Sequence, residues 1–172
     1  MDSDDQKLWR EFKNGNSHAY ETLFRRYKNQ TYNFAYKMLG DKQSASDITQ
    51  EVFIKLFKSQ DNSKPINDLK NWLFILTRNL CLNKLRDSKK EIGLEAIEEE
   101  SSENKIQDPQ VLKLREALNQ LEPNLKEALV LREYQGFSYQ EIAEILDISV
   151  SAVKSLIFRA RVKLKEIFEK IN

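Results

Sequence analysis

Turn formers are almost missing from this chain: four Gly and three Pro occur in 172 residues, where an average soluble protein carries roughly one in eight. A β-sandwich or barrel reverses direction every 8–12 residues or so and draws on such residues at each reversal. The chain cannot supply them, so the fold class is all-α. Apolar residues at 40% beside charged residues at 32% fit helices with one buried and one wet face. The longest unbroken apolar run, Trp72–Leu76, falls far short of the ~20 residues a membrane helix needs, so no membrane insertion is expected. The opening Met1-Asp2-Ser3-Asp4-Asp5 is acidic where a signal peptide would be basic. With one cysteine, Cys81, no internal disulfide can form, and the expected location is the cytoplasm. Cys81 and the single histidine, His18, make a poor metal site or nucleophilic pair. No cofactor, metal or catalytic residue is expected, and the chain reads as a binding protein rather than an enzyme.

The net charge of +1 hides an uneven distribution. Residues 1–90 hold 17 basic and 11 acidic side chains, residues 91–110 hold one and seven, and residues 111–172 hold ten and nine. Two bodies, the first clearly basic, therefore flank an acidic segment, a pattern expected of nucleic-acid partners and also compatible with plain solvated helix faces. The segment carries Glu98-Glu99-Glu100-Ser101-Ser102 and lacks a helical stripe, so it is expected to be a flexible linker over 91–108. The division is then a helical domain over 1–90, the linker, and a second helical domain over 109–172. On so short an acidic tether the two domains are expected to move independently when free.

Four helices are legible in the first domain. They cover about Asp4–Lys13, Ser17–Leu39 with Gly40 as the stop, Ser44–Phe57, and Asp68–Arg86. In the third, Ile48, Val52, Phe53, Leu56 and Phe57 are expected to face inward, and Lys58–Asn67 is a polar loop. In the second domain Asp108-Pro109 and Glu122-Pro123 open two helices. Then comes the strongest signal. Ser138 and Glu141 form a capping box, Ile142, Ala143 and Leu146 make an apolar face, Asp147-Ile148-Ser149 turns the chain, and Val153, Ile157, Ala160 and Leu164 line the next helix. This is the helix-turn-helix pattern, whose second helix enters the DNA major groove; a purely structural hairpin is the plain alternative. No acid occurs between Asp147 and Glu166, while Lys154, Arg159, Arg161, Lys163 and Lys165 are basic, as phosphate neutralisation requires. Projected at 100° per residue, Ser151, Ser155, Phe158 and Val162 lie opposite the apolar seam, flanked by Lys154 and Arg159. The hydroxyls, with Ser149 at the helix start, can reach base edges. Phe158 and Val162 suit thymine methyls or a protein partner.

In the first domain Trp72 and Phe74 share a helix with Arg78, Asn79, Lys84 and Arg86. Aromatics that stack bases beside cations that hold the backbone suit single-stranded nucleic acid, although Trp72 at helical spacing also fits a core.

These residues carry a resemblance. Asp47-Ile48-Thr49-Gln50-Glu51-Val52-Phe53, Trp72-Leu73 with Arg78-Asn79-Leu80, Gly136-Phe137-Ser138 with Glu141-Ile142-Ala143, and Val153-Lys154-Ser155 with Arg159-Ala160-Arg161 together resemble the extracytoplasmic-function sigma factors of bacterial RNA polymerase. The resemblance implies an alternative sigma subunit that binds core RNA polymerase, recognises a double-stranded −35 element and helps melt the −10 element. It also implies an anti-sigma protein as a partner. By position, Asp47, Gln50 and Glu51 match the helix that docks on core polymerase. Lys64, Asn67, Trp72, Arg78, Asn79, Lys84 and Arg86 fall in the part that handles the −10 strand, and Ser149, Ser151, Lys154, Ser155, Phe158, Arg159 and Arg161 in the part that reads the −35 element. Ile75 and Leu156 stand where many relatives carry arginine. The other reading is a helix-turn-helix regulator that is not a polymerase subunit; the first domain lacks the alternating strands and helices of a receiver that such a regulator would carry.

Overall fold

The computed structural model describes residues 4–61, 65–91 and 108–171, and every regular element among them is helical. Eight α-helices follow in order: α1 Asp4–Lys13, α2 Ser17–Leu39, α3 Lys42–Lys58, α4 Leu69–Glu91, α5 Pro109–Asn119, α6 Pro123–Leu129, α7 Tyr139–Leu146 and α8 Val150–Lys170. A 3₁₀ turn over Ser59–Asp61 follows α3, and a π-turn over Val130–Tyr134 extends α6. The acidic segment expected to be a flexible linker lies outside the described residues for 92–107.

The ends of the helices follow from local chemistry. Gly40 closes α2 in the left-handed region (φ +74°), its N–H donating to the Tyr36 carbonyl at 2.7 Å. Asp41 immediately opens α3 by accepting from the Gln43 and Ser44 amides at 3.2 and 2.7 Å. Those hydrogen bonds, Ser44 first, hold its carboxyl below the ordinary range. The start at Lys42 is thus two residues before the expected one, because Asp41 is a better cap than the Ser44 region. Similarly α4 runs to Glu91, past the expected Arg86.

In the first half α1 to α4 enclose Leu23, Phe34, Val52, Leu56, Leu69 and Leu73, all with side chains out of contact with water. Phe57 departs from the expectation: it is half exposed, its ring set against Phe12 and Tyr20 at the rim. In the second half Leu118, Leu121, Leu125, Leu129 and Ala160 join α5, α6 and α8, while Ile142, Val153 and Ile157 join α7 to α8.

The two halves do not stand apart. Phe74 of α4 is fully buried, edge-to-face with Phe34 at 5.7 Å on one side and with Phe137 of the second half at 4.8 Å on the other. One apolar cluster therefore runs from α1 to α8. In this arrangement α4 carries apolar surface on two sides, and the second half covers the one that its own bundle leaves open. Lys126 of α6 is sealed in this seam, 6% exposed, its Nζ donating to the Met38 carbonyl at 3.4 Å and to Asn119 Oδ1 at 3.1 Å.

Burial, with the nearby charge of Lys37, lowers the Lys126 pKa from 10.5 to about 8. Between those values the unfolded chain binds the extra proton, so stability rises with pH across about 8 to 10.5 and the penalty is complete below 8. It is on the order of 3 kcal/mol at neutral pH. Lys126→Met is expected to raise the thermal midpoint at pH 7, with the gain shrinking toward pH 10; a pH-independent difference in calorimetry would contradict this account.

Candidate functional site

Three surfaces carry the residues singled out in the sequence. The first is the outer face of α3. Asp47, Gln50 and Glu51 are all exposed, opposite the buried Ile48, Val52 and Leu56. Gln43 Nε2 donates to Asp47 Oδ1 at 3.0 Å, and Lys55 lies 3.5 Å from Glu51. These long-chain partners are themselves solvated, so the carboxylates stay available. The sequence reading missed Ile54. It is 53% exposed, and at 100° per residue it falls between Gln50 and Asp47, at the centre of the acidic face. An apolar side chain ringed by polar ones is the composition of an interface centre. Its angular position was the available signal.

The second surface belongs to α4 and the loop before it. Lys64 lies outside the described residues. Asn67 is exposed, and its carbonyl accepts from Gln6. Asn79, Lys84 and Arg86 are exposed, Asn79 and Arg86 along one side of the helix and Lys84 about 140° round from Asn79, with Asp87 3.8 Å from Arg86. Trp72 is half-buried against the core, and Phe74, expected among the stacking aromatics, is wholly internal. Arg78 has a partner that the sequence did not reveal. Its Nε and Nη2 donate to both carboxylate oxygens of Glu127, at 2.8 and 3.0 Å. Its side chain is 22% exposed and that of Glu127 6%. Lys84 and Arg86 share the helix with Arg78 but not this closure.

The third surface is α8. The capping box at Ser138 and Glu141 starts α7 with reciprocal contacts of 3.2 and 2.7 Å. Asp147 takes the left-handed conformation that ends it (φ +54°) in the place where many turns use glycine. Ile148 N–H then reaches the Ala143 carbonyl at 3.0 Å, which fixes the corner. Ser149 caps α8 by accepting from the Ala152 amide at 3.1 Å, so its oxygen is already engaged. Ser151, Lys154, Ser155 and Arg159 are exposed, and Phe158 is the most exposed large apolar side chain described, at 69%. Arg161 lies toward the π-turn, where Glu133 accepts from its Nε at 3.1 Å. That contact raises the guanidinium pKa further above its ordinary value. Lys154 and Arg159 have no ion-pair partner among the described residues. Beside Arg161 an open apolar groove of about 500 Å³ runs between α5 and α8, lined by Val111, Leu114, Leu164 and Phe168. No helix among the described residues is long and apolar enough to cross a membrane, and no cluster of three or more potential metal ligands occurs among them.

Comparison with known proteins places both halves. Residues 23–91 match sigma-70 region 2, and residues 112–164 match sigma-70 region 4. The chain is 32% identical over 162 residues to the ECF RNA polymerase sigma factor SigE of Mycolicibacterium smegmatis. That match covers 88% of this chain but 62% of the relative, so the chain spans less than two thirds of it. It is 31% identical over 159 residues to the ECF RNA polymerase sigma factor SigM of Bacillus subtilis, covering 87% of this chain and 95% of that one. Among solved structures, the sigma factor RpoE of Bartonella quintana, crystallised with the anti-sigma factor NepR, superposes with a TM-score of 0.70 and 25% identity, covering 88% of this chain and 98% of that one.

The charge layout of α8 separates two arginines. Arg159→Ala is expected to weaken binding to any duplex DNA and to lower the slope of log affinity against log salt by about one. Arg161→Ala should lower it by less, because Glu133 already offsets that charge. Equal slopes for both variants in a salt titration would contradict the division.

Proposed function

The chain belongs to the extracytoplasmic-function sigma factors, the alternative sigma subunits of bacterial RNA polymerase, and from that premise we propose how its surfaces divide the work. The outer face of α3 docks on the core enzyme, Arg78, Asn79, Lys84 and Arg86 of α4 take the melted −10 strand, and α8 reads the −35 duplex. It works by binding, so no catalytic step is assigned to it, and its place is the cytoplasm, with polymerase and promoter.

The observation that carries the first assignment is the composition of α3. Asp47, Gln50 and Glu51 surround the exposed Ile54 on the side of the helix away from the core. Charged groups give such an interface its orientation and the apolar centre much of its free energy. For the −35 element, Ser151 and Ser155 sit at the N-terminal end of α8 to meet base edges, with Lys154 and Arg159 on the flanks for phosphates. Phe158, two turns along the same face, suits a thymine methyl. Asn67 and Trp72 complete the −10 surface, and Lys64, also assigned to the strand by sequence, lies outside the described residues.

The relative from Bartonella quintana was crystallised with an anti-sigma factor. An inhibitor of that class is the partner we assign to the apolar patches left open on this chain, Phe158 with Val162 and the groove between α5 and α8.

Titration against core RNA polymerase tests the assignment of α3. Asp47→Ala with Gln50→Ala, and separately Ile54→Asp, are each expected to weaken core binding by roughly tenfold or more, with helix content by circular dichroism unchanged. Wild-type affinity in both variants would remove α3 as the docking face.

A further inference from the structure

Helix α1 falls outside the residues that match sigma-70 region 2, which begin at 23, and none of the three surfaces above uses it. It is nevertheless fixed along its whole length. At 100° per residue Asp5, Trp9 and Phe12 fall within about 60° of one another, and that face turns inward. Trp9 and Phe12 are buried, and the Phe12 ring lies 5.0 Å from that of Tyr20 and 5.5 Å from that of Phe57. In the first turn Asp5 accepts from the Tyr27 hydroxyl and from Arg26, which also donates to Asp4 at 2.7 Å. A helix so placed cannot roll or slide without losing an aromatic contact or an ion pair.

Gln6 stands about 100° round from Asp5, at the edge of the inward face. It is half-buried, and its Nε2 donates to the carbonyl of Asn67, 61 residues away. Helix α1 also packs on the 3₁₀ turn over Ser59–Asp61 and on α4. One fixed helix thus meets the connection between α3 and α4 at both of its ends. The bond to Asn67 falls where α4 does not hold the chain itself. Asp68 caps that helix, its side chain accepting from the Asn71 amide at 2.8 Å and its carbonyl from the Trp72 amide at 3.0 Å. Asn67 lies one residue before the cap, outside the helical ladder. A bond to its carbonyl fixes the peptide plane from which the side chain departs, and Asn67 remains exposed.

We propose that Gln6 is a positioning residue for −10 recognition: by holding the Asn67 carbonyl it sets the direction from which the Asn67 side chain meets a base of the melted strand. The proposal rests on the assignment of Asn67 to that strand made above. A carboxamide presents a donor and an acceptor side by side, and a base edge takes that pair in one orientation. A shift of the peptide plane therefore costs discrimination among bases. Attraction to phosphates, which carries no sequence information, is left nearly as it was.

Selection from a pool of random single-stranded DNA, with the full chain assembled on core RNA polymerase and the bound fraction sequenced, tests this. Gln6→Ala is expected to reduce the base preference at one strand position by about 3- to 10-fold, the worth of one hydrogen bond. Affinity for core polymerase and for the unselected pool should not change. Gln6→Glu, equal in size but without the donor, should act alike, whereas Gln6→Lys, whose ammonium can donate to the same carbonyl, should keep the preference. Asn67→Ala should remove the preference at the same position, and adding Gln6→Ala to it should change nothing further. Wild-type preference in Gln6→Ala and Gln6→Glu beside a loss in Asn67→Ala overturns the positioning role and leaves Asn67 in place. So does a uniform fall in affinity for every sequence, a loss that Gln6→Lys shares, or a further loss in the double variant. Unchanged preference in Asn67→Ala removes the assignment of Asn67, and the proposal with it.

Discussion

The edge-to-face contact of Phe74 with Phe137 is the interaction on which the arrangement of this chain depends. It follows from the run Trp72–Leu76, five apolar residues in succession on α4. Five successive positions cover more than one helical turn, so no rotation of the helix can hide them all against a single neighbour. Leu73 turns into the first bundle, and Phe74 reaches both Phe34 and Phe137. The N-terminal half thus has an apolar side that its own helices leave uncovered. Small helical domains bury a modest fraction of their surface in any case. A second bundle tethered nearby is the readiest cover.

Much of the architecture was legible because it is local. The stops and caps at Gly40, Asp108, Ser138 and Ser149 depend on groups within four residues, and each is found as expected. So is the outward direction of Asp47, Gln50 and Glu51, which helical period alone dictates. The pairing of the halves was not legible, since Arg78 and Glu127 are 49 residues apart. An arginine on a basic helix looks the same in sequence whether a phosphate or a carboxylate of the same chain will meet it. Ile54 was passed over for a different reason. Periodicity sorts residues by which side they occupy, and an apolar residue on the wet side reads as noise until its neighbours are placed around it. The π-turn over Val130–Tyr134 had no warning in the sequence. It leaves Glu133 within reach of Arg161 and brings Tyr134 over Lys37.

The corner of the helix-turn-helix shows how a departure from the common residue can be absorbed. A left-handed conformation costs most residues roughly 1–2 kcal/mol, and Asp bears it better than most because its short polar chain can bond locally. Here the conformation is held from both sides, by the Asp147 amide on Glu144 and by the Ile148 amide on Ala143. Helix α8 is therefore aimed by backbone hydrogen bonds, and its exposed Lys154 and Arg159 have no ion-pair partner among the described residues.

The same seam explains why the packing of the halves is specific. A buried ion pair contributes little net stability, because the attraction between Arg78 and Glu127 is offset by the water each gives up. It nonetheless penalises any register in which one of them is buried alone. The buried Lys126 opposes closure at neutral pH, since burial holds its pKa near 8 and its protonated form is hydrated better outside. What favours closure is chiefly the aromatic contact, about 0.5–1.5 kcal/mol beyond the area it hides, together with that area. Opening would leave the polar side chains rehydrated at little cost, but it would leave Phe74 and Phe137 facing water. Separating the halves would therefore carry one cost that water cannot offset, the exposure of this apolar surface.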